Sequence, residues 1–580
     1  MFRICHVLDN INYLPFILPP HLTSFPMAFG LGRSLGKLSL FVLLGVRAAL
    51  SSQTISVALE NSSVLGSNEN AADIESFLGI TYGTAARFKR SSPVSYTVPA
   101  TGLINATTFG VACSQTVTAG NTINYGAYGI GENCLTLDIY RPPGTQANAS
   151  LPVMVWISGG AFLQGSTSVY PGTGIVARSM ELGLPVITVI VNYRLAFWGF
   201  LGGQEAADNN ALNLGLYDQR DAFAWVQNYI SYFGGDPTKV TAFGSSAGAI
   251  SIGHHLFTSN SDLFRAVIMG SGTASTLAVR KPNDPAVQAV YDGVVNLVGC
   301  DTASDTFACL SSVDEDTLFN AVNTYDPDSL FQIRPWAPII DGELIPDDPY
   351  TLITEGKFAS KPFITGDVVD EGTRFVVPQA INTTDDFLNV LAIVDSPTLT
   401  PSPFTQNQTL VSELEALYPA TPAAGSPFGT GNVTFFGDQF KRAAAVIGDL
   451  HFHSQRRAFL AATCKKNVPS WSYQLAQLTS TDPSVAWEGV AHETDIPFVF
   501  NSYPSTDGDL YTVASYISGY WVAFANNLNP NAEGLPTWDE YRSSKQSLQI
   551  EAGATEMISD NFRQAGTDFL TTARAQIFNA

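Results

Sequence analysis

VTAFGSSAG, residues 240–248, is the stretch whose reading decides the architecture. Residues 239–243 form an apolar run of strand type, and 249–257 follow with the pattern of a helix. Between them lies Gly244-Ser245-Ser246-Ala247-Gly248, a G-x-S-x-G pentapeptide. Its physical logic is a very tight strand-to-helix turn that lifts the central hydroxyl above the sheet edge. Glycines two residues to either side let the chain fold that closely without a clash at Cβ. With 48 glycines in 580 residues, a random chain of this composition carries roughly 0.3 such matches. The pentapeptide alone could be an ordinary Gly-rich turn; the strand before it and the helix after it make Ser246 a candidate nucleophile.

Outward from this turn, β-type and helix-type segments alternate. Residues 153–157 and 185–192 read as buried strands with a helix over 172–182 between them. Residues 218–233 place Phe223, Val226, Ile230 and Phe233 at helical spacing, and a Gly-Gly-Asp-Pro break follows at 234–237. Residues 264–269, 362–367 and 471–475 are further strands. This alternation predicts an α/β fold, a mostly parallel sheet with helices on both faces. The Pro-, Thr- and Gly-rich stretch 396–437 reads as an irregular excursion within one domain.

The strand at 153–157 runs into Ser158-Gly159-Gly160-Ala161-Phe162. Small residues after a strand leave backbone N–H groups free to face a developing oxyanion. Gly160 and Ala161, joined by Ala247 after the candidate nucleophile, are the expected donors. A phosphate-binding glycine turn is the competing reading, but neither a G-x-G-x-x-G pattern nor a P-loop lysine follows.

Bulk composition narrows the partners. The formal net charge is −22, from 51 acidic and 29 basic residues, with hydrophobic residues at 45%. Such a chain can bury a large core, and it repels nucleic acid and anionic membrane surfaces. From Met27 a basic region (Arg33, Lys37), a short apolar core over 38–46 and the small residues Ala48, Ala49, Ser51 and Ser52 form the layout of a secretory signal peptide. A single membrane anchor is the competing reading, disfavoured by the short apolar core. The expected organisation is therefore a leader over 1–51, with the signal at 27–51 and 1–26 an over-extended start, then one catalytic domain over 52–580. Export agrees with six Asn-x-Ser/Thr sequons, at Asn61, Asn105, Asn148, Asn382, Asn407 and Asn432. Apart from Cys5 in the leader, short-range pairing joins Cys113 with Cys134 and Cys300 with Cys309. It leaves Cys464 as a free, buried thiol, although spacing alone also allows other pairings. No Cys-x-x-Cys or His pair sits at zinc-ligand spacing near these residues, so no metal is expected.

At this point the sequence resembles the type-B carboxylesterase/lipase family, which includes cholinesterases and fungal lipases. The matching segments are FLGITYG at 77–83 with Arg87-Phe88, ENCLTLDIYRP at 132–142, VMVWISGGAF at 153–162, VNYRLAFWGFL at 191–201, NLGLYDQRDAFAWVQNYISYFGGDP at 213–237 and VTAFGSSAG at 240–248. The resemblance implies the α/β-hydrolase fold and a Ser246, Glu371, His492 triad, in the order Ser, acid, His. Spacing would not choose Glu371 over Asp370, nor His492 among seven histidines; His254, His255, His451 and His453 read as structural. No metal or organic cofactor is implied, and the implied substrate is a small-molecule or lipid ester.

The chain departs from the family pattern in three places. The residue before the nucleophile, usually Glu, is Ser245, and the third residue of the usual Gly-Gly-Gly loop is Ala161. The loop between Cys113 and Cys134 encloses residues 114–133, shorter than the flap of the larger family lipases and without a Trp. Specificity for choline esters is therefore not expected. Little apolar surface is expected on that flap, which favours a carboxylesterase over a triacylglycerol lipase or sterol esterase. A non-catalytic, cholinesterase-like binding protein is the third reading, against which every triad member is retained. Phe162, Phe197 and Trp198 could line the pocket or belong to the core. The oligomeric state is not encoded in any motif.

Overall fold

A ten-stranded sheet orders the protein. In chain order its strands are β1 (Glu75–Thr81), β2 (Thr136–Arg141), β3 (Leu151–Ile157), β4 (Ile187–Val191), β5 (Gly235–Ser245), β6 (Ala266–Gly270), β7 (Phe363–Val368), β8 (Ser470–Leu475), β9 (Gln546–Ile550) and β10 (Glu556–Ser559). Across the sheet they run β10-β9-β8-β7-β6-β5-β3-β4-β2-β1. The run from β9 to β4 is parallel, whereas β1, β2 and β10 pair antiparallel at the margins. The computed structural model describes residues 55–578 except 69, 71, 97–101, 117–122, 259–261, 326–334, 377–380 and 396–405. The leader, its signal and Cys5 lie outside the described residues.

Parallel strands need crossovers, and the helices α1 (Thr173–Glu181), α2 (Leu214–Tyr229), α3 (Ala247–His255), α4 (Phe440–Gly448), α5 (Ser454–Lys465) and α6 (Asp509–Asn527) supply several of them. Strands covered on both faces read as continuous apolar runs, and β4 and β6 are buried at every position. Two large clusters fill the faces. Phe197, Trp198, Phe223 and Leu214 belong to one, and Trp156, Phe243, Phe500 and Trp521 to the other. This is the α/β-hydrolase fold with a large, mostly parallel central sheet. Contacts cluster into one unit over Ser52–Ala580.

Several boundaries move. The helix expected over 218–233 begins four residues earlier, at Leu214, and ends in a 3-10 turn, Ile230–Phe233. The Gly-Gly-Asp-Pro break is where β5 starts, because Gly234 takes a left-handed conformation at φ 89° and turns the chain straight into the sheet. Within the stretch 396–437, Gln408–Leu417 is helical, capped by Asn407 and burying Val411 and Leu414. Its periodicity is masked in sequence by the prolines and glycines around it. Phe162, Phe197 and Trp198 are at most 2% exposed and belong to the core. Cys113 is bonded to Cys134 and Cys300 to Cys309. Cys464 is free but half-buried, with Lys545 Nζ 3.0 Å from its sulfur.

Candidate active site

The carboxyl ends of β5, β7 and β8 build the site. Ser246 leaves β5 at φ 55° and ψ −124° and caps α3, a conformation costly for a residue with a Cβ. The flanking glycines make room for it. A β-carbon on Gly248 would stand 1.9 Å from the Ile157 carbonyl oxygen, and one on Gly244 would stand 2.7 Å from it. The end of β3 therefore packs directly on the turn, and any side chain at either position would push the two apart. The elbow is held to β6 by Ser246 N–H donating to the Gly270 carbonyl at 2.9 Å.

From β3 the loop bearing Gly160 and Ala161 folds back on itself. Leu163 and Gln164 N–H both donate to the Gly160 carbonyl. Ala161 (φ 56°) and Phe162 (φ 65°) are left-handed, as is Ser246 opposite them. None of the hydrogen bonds of the described residues uses the N–H of Gly160, Ala161 or Ala247, the last lying in the first turn of α3, where helix donors are free.

His492 connects this turn to Glu371. Its Nε2 lies 2.8 Å from Ser246 Oγ and its Nδ1 lies 2.5 Å from Glu371 Oε2. Glu371 also accepts from Val368 N–H through Oε1 at 2.9 Å and is 1% exposed. Burial, and then the charge of Asp367, push its carboxyl above the usual range. Asp370, its neighbour, does different work. Its Oδ1 accepts from Ser426 Oγ and Phe428 N–H, and its Oδ2 from Val490 N–H. It thus ties the loop bearing His492 to the end of β7. Arg374 adds a second tie, donating to the His492 carbonyl at 2.8 Å while pairing with Glu488 at 2.6 Å. The Phe375 and Phe452 rings pack on the imidazole at 4.9 and 4.8 Å.

The other histidines among the described residues are engaged elsewhere or buried. His255 Nε2 meets Gln219 Oε1, and burial pushes both His254 and His255 down. His451 Nδ1 meets the Thr276 carbonyl, and His453 Nδ1 meets Asp367. Among the described residues, no group of three or more His, Cys, Asp or Glu side chains is arranged to hold a metal ion.

Sequence reasoning did not single out Glu493 or Asp495, which follow His492. Asp495 is buried, its Oδ2 accepts from Tyr473 OH at 3.0 Å, and burial followed by the charge of Glu371 pushes it up to about 6. An acid one and three residues after the histidine was the available signal. It carries little weight until the fold brings these groups beside Ser246 and Glu371.

A serine hydroxyl, an imidazole, a carboxylate and free amides at the head of an α/β sheet define a class of hydrolases that work through a serine. The chain belongs to the carboxylesterase family, whose model matches residues 53–570, and it is a carboxylic ester hydrolase. It is similar to Lipase 1 of Geotrichum candidum, 38% identical over 459 residues, 76% of this chain and 77% of that protein. The secreted triacylglycerol lipase LIP1 of Gibberella zeae is 36% identical over 460 residues, 76% of this chain and 74% of that protein. Among solved structures, EstA of Aspergillus niger shares the fold with a TM-score of 0.75 at 24% identity, over 90% of this chain and 99% of that one.

Proposed function

We propose that Ser246 is the nucleophile, His492 the base and Glu371 its partner in a two-step cleavage of carboxylic esters. The observation that carries this reading is the position of His492, within hydrogen-bonding distance of Ser246 and Glu371 at once. His492 Nε2 takes the hydroxyl proton as Ser246 Oγ bonds to the ester carbonyl carbon, and the carbonyl electron pair moves onto oxygen. The N–H groups of Gly160, Ala161 and Ala247 hold that oxyanion; losing one such donor costs about 2.7–4 kcal/mol in the barrier. Collapse expels the alkoxide, which takes the proton from His492. Water, giving its proton to the same nitrogen, then attacks the acyl-enzyme and releases the acid. Glu371 keeps Nδ1 protonated and stabilises the imidazolium that forms at each step. A single catalytic domain from residue 52 holds all of these groups.

A panel of p-nitrophenyl esters of increasing acyl length tests the assignment. Wild type is expected to turn them over, and Ser246→Ala to lower kcat by about 10⁶-fold. Activity surviving that substitution would refute the mechanism.

Lipase action is the second reading, and one observation favours it. The loop between Cys113 and Cys134 exposes Ile123, Tyr128 and Ile130, at 48%, 50% and 39%. That is more apolar surface than its shortness suggests, and similar proteins are named lipases. In the same panel, a sharp rise in rate above the solubility limit of the substrate would assign the chain to that activity.

Export through the leader at 27–51, with glycosylation of the sequons, is the companion proposal. It is supported by the two disulfides, by the secreted relative and by the exposure of all six asparagines.

A further inference from the structure

We propose that Glu493 is a charge filter on the leaving-alcohol side of the site, admitting esters whose alcohol part is neutral or cationic and turning away those whose alcohol part is anionic. The proposal rests on the reading of Ser246 and His492 as nucleophile and base. Glu493 follows His492 in a left-handed conformation, φ 69°, which a residue with a side chain adopts at a cost. That conformation is fixed from both sides, by Arg374 on the His492 carbonyl and by Ile496 N–H on the Glu493 carbonyl. The side chain is half-buried. Glu371, Asp370 and Asp495 all accept hydrogen bonds, whereas no hydrogen bond or ion pair among the described residues engages the Glu493 carboxylate.

Its place relative to the nucleophile follows from Gly159. A β-carbon there would stand 3.1 Å from Ser246 Cβ and 3.3 Å from Glu493 Oε1. Nucleophile and carboxylate thus face one another across a glycine that has no side chain to separate them. The leaving alkoxide must lie against His492 Nε2, which delivers its proton, so the alcohol part of the ester is the part beside the loop that carries Glu493. Tyr170 and Tyr125, the latter from the disulfide-closed loop, lie close by. Burial first, then Tyr125 and Glu493, push the Tyr170 phenol up. A carboxylate with no cation of its own, in a partly desolvated site, acts on any charge the alcohol brings. At a separation of several ångströms this changes the relative rate of a cationic and an anionic alcohol roughly tenfold or more.

Three butyrate esters test this: 3,3-dimethylbutyl (neutral), choline (cationic) and 2-sulfoethyl (anionic), each kcat/KM referred to the neutral ester at low ionic strength. Comparing variant with wild type cancels the field of the remaining surface charges. Wild type is expected to favour the cationic over the anionic ester by roughly tenfold or more. Glu493→Gln is expected to bring that ratio down at least fivefold, and Glu493→Lys to invert it. A ratio that Glu493→Gln leaves unchanged overturns the proposal. Absence of turnover of the neutral ester by wild type, or turnover that survives Ser246→Ala, would instead overturn the underlying assignment of the triad.

Discussion

Asp138, on β2, sits in the core with one carboxylate oxygen accepting from Gly79 N–H at 2.7 Å and the other meeting no donor among the described residues. Burial pushes this group up to about 7 from an ordinary 3.8. The unfolded chain therefore loses the Asp138 proton at a lower pH than the folded chain does. Its contribution is intact below about pH 4 and is lost as pH rises to 7, by about 4 kcal/mol at most. Asp138→Asn keeps the acceptor for Gly79 and removes the titration. Urea denaturation of the variant is expected to match wild type near pH 4 and to give a higher stability at pH 8. Curves that run parallel between those limits would show that Asp138 is not the group responsible. The same burial argument separates the two acids at the end of β7. Asp370 has three donors from two loops, whereas Glu371 has His492 and one amide.

Behind the proposed triad, α5 lays Arg456 between β7 and the chain after β10. It is 1% exposed, with Nε 2.6 Å from Asp367 and its terminal nitrogens both 2.8 Å from Asp560. Without Arg456, Asp367 keeps His453 and Asp560 keeps Arg457 and Tyr541, but both lose their bonds to the buried guanidinium, and breaking such a buried cluster costs about 3–5 kcal/mol. Arg456→Met is therefore expected to lower the unfolding free energy by that amount in denaturant titration, and a loss under about 1 kcal/mol would mean that His453, Arg457 and Tyr541 suffice to hold the two carboxylates. At this scale the sequence was legible where one residue type dominates. The strands ending at Ile157 and Ser245 and the glycines after them announce themselves, because a parallel strand buried on both faces has no polar alternation to obscure it. The outer strands β1, β9 and β10 carry polar residues, for example Gln546, Ser547 and Gln549, and did not stand out. Glu371 and His492 were legible through family likeness alone. The residues that hold them, Arg374, Phe375 and Phe452, have no motif because they act from separate segments.

Across the whole molecule, the charge balance acts on solubility and on which surfaces the chain meets. The net charge of −22 favours solubility and weakens adsorption to anionic surfaces. No helix among the described residues is long and apolar enough to cross a membrane. The exported protein is expected to start near Ser51 on N-terminal sequencing and to lose mass on treatment with a peptide N-glycosidase. A mature chain beginning upstream of Met27 would overturn the assignment of the leader, and an unchanged mass would overturn that of the sequons. The contacts that make the site carry a consequence for how it comes into being. Glu371 and His492 are 121 residues apart in the chain, and Ser246 and His492 are 246 apart. Closing loops of that length is entropically slow, and the partners gain nothing until β5, β7 and β8 have docked in register. Ester hydrolysis by this chain is therefore a late event on its folding path, and its onset marks the completed sheet, which the appearance of individual helices does not.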